Sequence, residues 1–353
     1  MRDADQLIAG ALRDIAAEAG PPRPAADAAW RAGRRRRLTR LTASAASIAG
    51  AIAVALTVVL PLAAEPGPAT PQGAPARLVS ISLWPPKPAG AAVLAATAAI
   101  LRQRAADLHL PDTQARVSGS FVVLTGPAAD EPQLQALVAS GVLNFRPVLL
   151  YEPYRGTTPA AGGQRYGDAS LVNHATMALF GKLVCTPAKA GTWKSQVGYA
   201  GDNYDNPNAQ VVSCDSSGGK YALGTATVRG TQVSEATAGR SATSNQWAVT
   251  LTLNHAGTAA LATLTSHLYH SYGTAAGAGD DNAVWLDTIA DVLDGNVISA
   301  PQTAGPIPDG KLSIQANFTK TQAHVLAAQL QGGPLPVEFL ISDISTSAAS
   351  ASS

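Results

Sequence analysis

Leu41–Ala64, LTASAASIAGAIAVALTVVLPLAA, contains no charged residue. It is long enough to cross a bilayer as a helix, which takes roughly 20 apolar residues at a rise of about 1.5 Å each. Whatever else the chain folds into must lie to one side of this segment. Gly50 and Pro61 do not disqualify it, because membrane helices tolerate both. Arg31, Arg34, Arg35, Arg36, Arg37 and Arg40 precede it, and Glu65 with a Pro/Gly run follows. Lys/Arg density sets the cytoplasmic side, so residues 1–40 are expected inside and Glu65 onward outside. A cleaved signal peptide is the competing reading. The charged leader of residues 1–40 and the poor small-residue pattern near Leu62–Ala64 count against it. Either way the bulk of the chain is exported.

Charge divides the same way. The net charge of +1 conceals an Arg-rich head, with nine Arg against five acidic residues in 1–40, and an exported part with 16 basic and 19 acidic residues. An exported part without a basic field excludes nucleic-acid binding. The Arg cluster suits orientation and anionic inner-leaflet lipid. The two cysteines, Cys185 and Cys214, both fall outside, where an even pair reads as a disulfide. Two free buried thiols are the alternative.

Taken in order, Asp3–Ala19 is predicted as a short amphipathic helix, with Leu7, Ile8, Leu12 and Ile15 on one face. Residues 65–76 form a stiff Pro-rich spacer. Residues 77–150 alternate strand and helix. Leu78–Leu83 is a strand and Ala91–Leu108 a helix. Gln114–Val117 and Phe121–Thr125 form a hairpin, Glu131–Ala139 a helix and Leu143–Leu150 a strand. That β-α-β-β-α-β order is the split βαβ of a ferredoxin-like unit in an α+β fold. Residues 151–244, rich in Gly, Asn, Asp, Ser and Thr and holding both cysteines, read as a loop-rich insertion of short strands and turns. Residues 245–344 repeat the order loosely: strand Trp247–Leu253, helix Ala256–Tyr269, strand Trp285–Leu293, a turn at Asp294-Gly295 and strand Val297–Ala300. Strand Leu312–Phe318, a helix opened by the Thr319/Gln322 capping box and strand Val337–Ile341 complete it. Residues 345–353 are expected to be a disordered Ser/Ala tail.

Several stretches then resemble one family together. Val292–Pro301 (VLDGNVISAP) resembles the VLDGxVISAP signature of the large extracytoplasmic domain of SecD, the protein-export membrane protein. WAVTLTLNHAGTAALATLT resembles the strand and helix before that signature, and Gly310–Thr319 the segment after it. LQGGPLPVEF is similar to the family's Leu-x-x-Gly-x-Leu-Pro close. Val212–Cys214 with Lys220–Gly224 resembles a stretch of actinobacterial SecD, and ILRQRAADL…FVVLTGP…LNFRPVL the upstream unit. The resemblance covers Leu78–Ile344. It implies a domain that grips or guides emerging chains, with Asp294, Gly295, Ser299, Pro301, Phe318, Leu335 and Pro336 fixing turns and core. SecD continues into a bundle of membrane helices whose buried charges couple export to the proton gradient. No second apolar span follows here, so that motor function is not expected. The head at 1–40 resembles the Arg-rich heads of actinobacterial single-pass proteins instead.

No catalytic set stands out: there is no G-x-S-x-G, P-loop, H-E-x-x-H or Cys-x-x-Cys. His267 and His270 lie three apart on a helix, but two imidazoles without a third ligand do not make a metal site. Asp280, Asp281, Asp287 and Asp291 invite a calcium reading, which a solvated loop and an outward strand face explain more simply. The expectation is a single-pass, non-enzymatic binding module with no cofactor. Its partners are secreted or translocating polypeptides and the Sec machinery. A single-pass sensor signalling through residues 1–20 is the alternative.

Overall fold

The computed structural model describes residues 77–154, 164–187, 205–241, 244–273 and 281–348. The apolar segment at 41–64, the Arg cluster, the helix expected at 3–19 and the spacer lie outside the described residues. Among the described residues no helix is long and apolar enough to cross a membrane.

Alternation builds the first sheet. In β1 (Arg77–Trp84) Val79, Ile81 and Leu83 are fully buried, and their neighbours face outward. The chain continues through α1 (Ala91–Asp107), β2 (Gln114–Ser118), β3 (Phe121–Pro127) and α2 (Glu131–Leu137). Gly119, at φ 61°, supplies the left-handed turn between β2 and β3. α1 lays Leu94, Ala98, Leu101 and Ala105 on the buried face of β1 and β3, joined by Leu134 and Leu137 of α2. Each such leucine contributes about 2 kcal/mol of burial.

The strand that completes this sheet is not the one expected. β4 (Leu143–Glu152) leaves it, and the fourth place belongs to β14 (Leu340–Ala348), giving the antiparallel order β14-β1-β3-β2. β4 is buried on both faces over most of its length, which calls for packed layers above and below it, and it lies in the interior of another sheet. β14 also corrects the tail: Ser345–Ala348, read from composition as disordered, continue the strand.

The insertion is more regular than its composition suggests. It holds β5 (Tyr166–Gly167), α3 (His174–Lys182), β6 (Val211–Cys214), β7 (Lys220–Leu223), β8 (Val228–Arg229) and the start of β9 (Val233–Arg240). The Asn173 side chain caps α3 by accepting from Thr176 N at 2.8 Å, a helix signal hidden among polar residues. β6 and β7 are wholly buried and join β4.

The remainder is β10 (Trp247–Leu253), α4 (His255–Ser271), α5 (Asp281–Leu286), β11 (Ile289–Leu293), β12 (Asn296–Ser299), β13 (Lys311–Phe318) and α6 (Lys320–Gly332). The run expected as one strand over Trp285–Leu293 is therefore divided. Trp285 belongs to a helical turn and stacks on Tyr151, ring centroids 3.8 Å apart, before β11 begins. Two further sheets result: β13-β10-β9, and β12-β11-β4-β7-β6 with β5 and β8 alongside β4. The fold is thus a mixed α/β arrangement of three sheets. α6 joins their cores, with Ala323, Leu326, Ala327 and Leu330 in one and Ala328 in another.

Candidate functional site

The motif residues converge where the sheets meet. Asp294 (φ 47°) and Gly295 (φ 78°) make the tight turn between β11 and β12, both in the left-handed region such a hairpin requires. The Asp294 carboxylate accepts from Gly141 N at 3.1 Å and Val142 N at 2.8 Å. Asp294 N donates to Val142 O at 2.8 Å. Gly295 O accepts from Ser213 Oγ at 2.7 Å. The hairpin tip is thereby fastened to the segment leading into β4 and to β6.

Arg104, fully buried on α1, grips the same segment from the other side. Its guanidinium donates to Leu137 O, Ala139 O and Ser140 O at 2.6, 2.7 and 3.0 Å, and to Gly333 O at 2.7 Å. Burial lowers its pKa to about 10 against the pull of Asp294, so it stays charged at neutral pH. Leu335 is buried and its N–H donates to Ser140 O at 2.8 Å, while Pro336 is exposed beside it. Arg146 is also fully buried. It donates to Asp205 Oδ1 at 2.9 Å and to the carbonyls of Asn206, Ala209 and Gly224. Burial raises the Asp205 pKa in spite of that partner. The sequence reading of apolar faces missed both arginines. In α1 a helical-spacing count reaches position 104 as readily as 105, and only its charge argued against burial.

These clamps hold a cleft open. β12 ends one sheet, with Val297 bridged to Asp215 on its outer side, and β13 ends another; residues of both line a space of about 690 Å³. Asn296–Ala300 form one wall and Gln315–Phe318 the other. Asp215–Ser217 and Tyr221 close one end. Ile298, Phe318 and Gln322 are shared with a recess of about 430 Å³ lined by Leu293, Val325 and Leu326 among others. Asp215 is internally engaged: it accepts from Ser217 N and Oγ, Gly219 N and the Tyr221 hydroxyl. Burial, then Asp215, raises the Tyr221 pKa, so that phenol stays neutral. Cys214 reaches the same end of the cleft and is bonded to Cys185, Cα atoms 5.6 Å apart.

Of the motif residues, Ser299 and Phe318 line the cleft, whereas Asp294 and Gly295 position its wall. Pro301 O accepts from Ile289 N at 3.1 Å, extending that wall. Asp287 and Asp291 do not lie on an outward face, as alternation suggested: both are buried. β11 runs between β4 and β12 with both faces covered, so no outward side exists for Asp291, and Asp287 is buried in the turn just before that strand. Burial raises Asp291 to about 8 against a hydrogen bond with Ser299, and Asp287 to about 6 against one with Thr303. His267 and His270 are exposed on α4, and His270 Nδ1 lies 2.6 Å from Ser266 O. Among the described residues no group of three or more His, Cys, Asp and Glu is placed to hold a metal. Asp280 and the side chain of Asp281 lie outside the described residues.

The cleft is thus lined by residues of two strands, with the Asp215 carboxylate held by its own neighbours and an apolar recess behind. The family description of the SecDF P1 head subdomain matches residues 209–337, which span both walls. That stretch is similar to the SecDF head. Protein translocase subunit SecD of Streptomyces coelicolor is 32% identical over 152 residues, 42% of this chain and 25% of that protein. The SecD of Magnetococcus marinus is 42% identical over 55 residues, 16% of this chain and 10% of that protein. The chain thus spans a quarter or less of either relative. A crystal structure of SecDF in a super-membrane-facing form covers 79% of this chain at 19% identity and a TM-score of 0.49, the overlap being 32% of that structure. The VLDGNVISAP segment, which directly follows the buried Asp291, supplies both the turn and a wall of the cleft.

Proposed function

We propose that this chain is a membrane-anchored accessory of protein export. Its SecD-type head holds extended segments of exported polypeptides in the cleft between β12 and β13, without catalysis. The observation that carries the reading is the cleft lined by β12 and by the end strand β13, with an apolar recess opening from it. A strand edge recognises backbone, so it accepts any extended sequence, which suits a device that meets many different chains. Ile298 and Phe318 at the mouth of the recess add apolar contact for one large side chain.

Magnitudes agree with a transient grip. Four backbone hydrogen bonds at about 1 kcal/mol each and one buried side chain at about 2 kcal/mol must first offset the cost of association. That cost cancels most of the gain, so each contact is weak enough for a chain to move on.

In this reading 41–64 is a single-pass anchor, 1–40 its cytoplasmic head and 65–76 a spacer. Residues 77–150 form a ferredoxin-like base closed by β14, 151–244 an insertion and 245–344 the head. The family resemblance makes the Sec machinery the natural neighbour. The reading is tested by titrating the full chain, in detergent, with an unfolded, reduced polypeptide labelled for anisotropy. Saturable binding that Ile298→Glu weakens about tenfold or more, a loss of about 1.4 kcal/mol, supports it. Equal binding by the variant refutes the cleft as the site.

A further inference from the structure

β14 is the last strand of its sheet, and all nine of its residues are exposed. Three are large and apolar: Leu340, Ile341 and Ile344 at 54%, 40% and 39%. Its register with β1 sets Ile341 opposite Leu83 and Ile344 opposite Ile81, both fully buried. The apolar inner face of the sheet therefore runs on past β1 onto a strand whose own side chains are uncovered. Leu340, opposite Trp84, adds to the other face, where Trp84 is itself exposed and stacks on Phe121 at 4.6 Å. Natural edges are usually blunted by lysine, proline or a bulge. LISDISTSA has neither lysine nor proline, and its irregularity falls at Ser342, leaving Asp343–Ala348 in unbroken register.

We propose that this edge pairs with β14 of a second copy of the chain, joining two four-stranded sheets into one. The strand's single charge favours this occupant. In an antiparallel self-pairing centred on Ile344, the two isoleucines meet, each Asp343 lies across from a Ser345, and Ser342 faces Thr346. Like charges never stand opposite, which is the arrangement a strand edge penalises. The apolar stripe that ends unsupported in one copy then continues into its equivalent in the other. A strand-only contact falls short of the roughly 1,000 Å² a freely diffusing dimer needs. Pairing is therefore weak between dilute molecules and strong where copies are held near one another.

The test uses the full chain in the membranes of the producing cell. Ser345→Cys places one added thiol beside the pairing axis, the native cysteines being bonded to each other. Mild oxidation should give a covalent dimer several-fold more abundant than that of a control, Ser234→Cys, on the exposed part of β9. Adding Ile344→Lys to Ser345→Cys should return the yield to the control level, with the melting temperature showing that the fold survives. Equal dimer yields from both cysteine variants overturn the proposal. So does cross-linking of Ser345→Cys to other polypeptides in place of itself.

Discussion

A few buried polar side chains decide where the sheets meet. Arg104 satisfies four carbonyls at once, so Arg104→Leu would leave all four without a donor in a closed interior. The expected cost is about 3–5 kcal/mol, read as a lowered denaturant midpoint. Asp291 makes a prediction with a definite sign. Its pKa is raised from 3.8 to about 8 in the folded state, so the folded form binds the extra proton. The stabilisation this gives is fully present below the unfolded value, erodes as pH climbs through the interval between the two, and is gone above about 8. Asp287, raised to about 6, acts in the same direction. Asp291→Asn should flatten the fall in melting temperature between mildly acidic and mildly alkaline pH. An unchanged slope would place the proton elsewhere. At this scale the sequence was least legible. Alternation places residues on faces, but it cannot say that β11 has no solvent face or that the strand starts only at Ile289, and so it misplaced Asp291 and Asp287. Arg104 and Arg146 were missed because a charge argues for solvent until its partners, here main-chain carbonyls distant in sequence, are known.

Elements were legible wherever one face stays wet. β1, β10 and β13 alternate visibly, and the Thr319/Gln322 capping box opens α6, with Thr319 Oγ1 accepting from Gln322 N at 3.2 Å. The turn at Asp294-Gly295 announces itself because few other residue pairs accept positive φ twice. What failed was pairing. Strand order along the chain did not reveal that β4 would leave the first sheet or that β14 would close it, because both outcomes depend on contacts between distant residues. The insertion lost its helix to composition, although Asn173 caps it plainly. It is bound by the Cys185–Cys214 bridge across a separation of 29 residues. Replacing both cysteines by serine should cost about 3 kcal/mol by loop entropy. Non-reducing alkylation and mass measurement on the native chain should find no free thiol.

For the molecule as a whole, the chain's path matters more than any single sheet. β1 opens the described fold and β14 closes it, with the remaining strands threaded between, so the first sheet cannot be completed until the head has been made. Truncation after Phe339 should therefore destabilise the first sheet even though the described side chains it removes are all exposed, since β1 becomes an edge with unpaired backbone. Proteolysis of 77–127 should accelerate in the truncated chain, while the head cleaves as before. The same threading brings residues of β12 and β13 to one cleft, near the segment that Asp294 and Arg104 both hold, and that cleft is what the proposed function rests on. It is tested most directly by a photo-reactive amino acid at Phe318, on the cleft wall, with His267 on the exposed side of α4 as the control position. In cells actively secreting a reporter protein, cross-links from position 318 to the reporter, several-fold above those from 267, are the expected result. Equal labelling from both positions would contradict it.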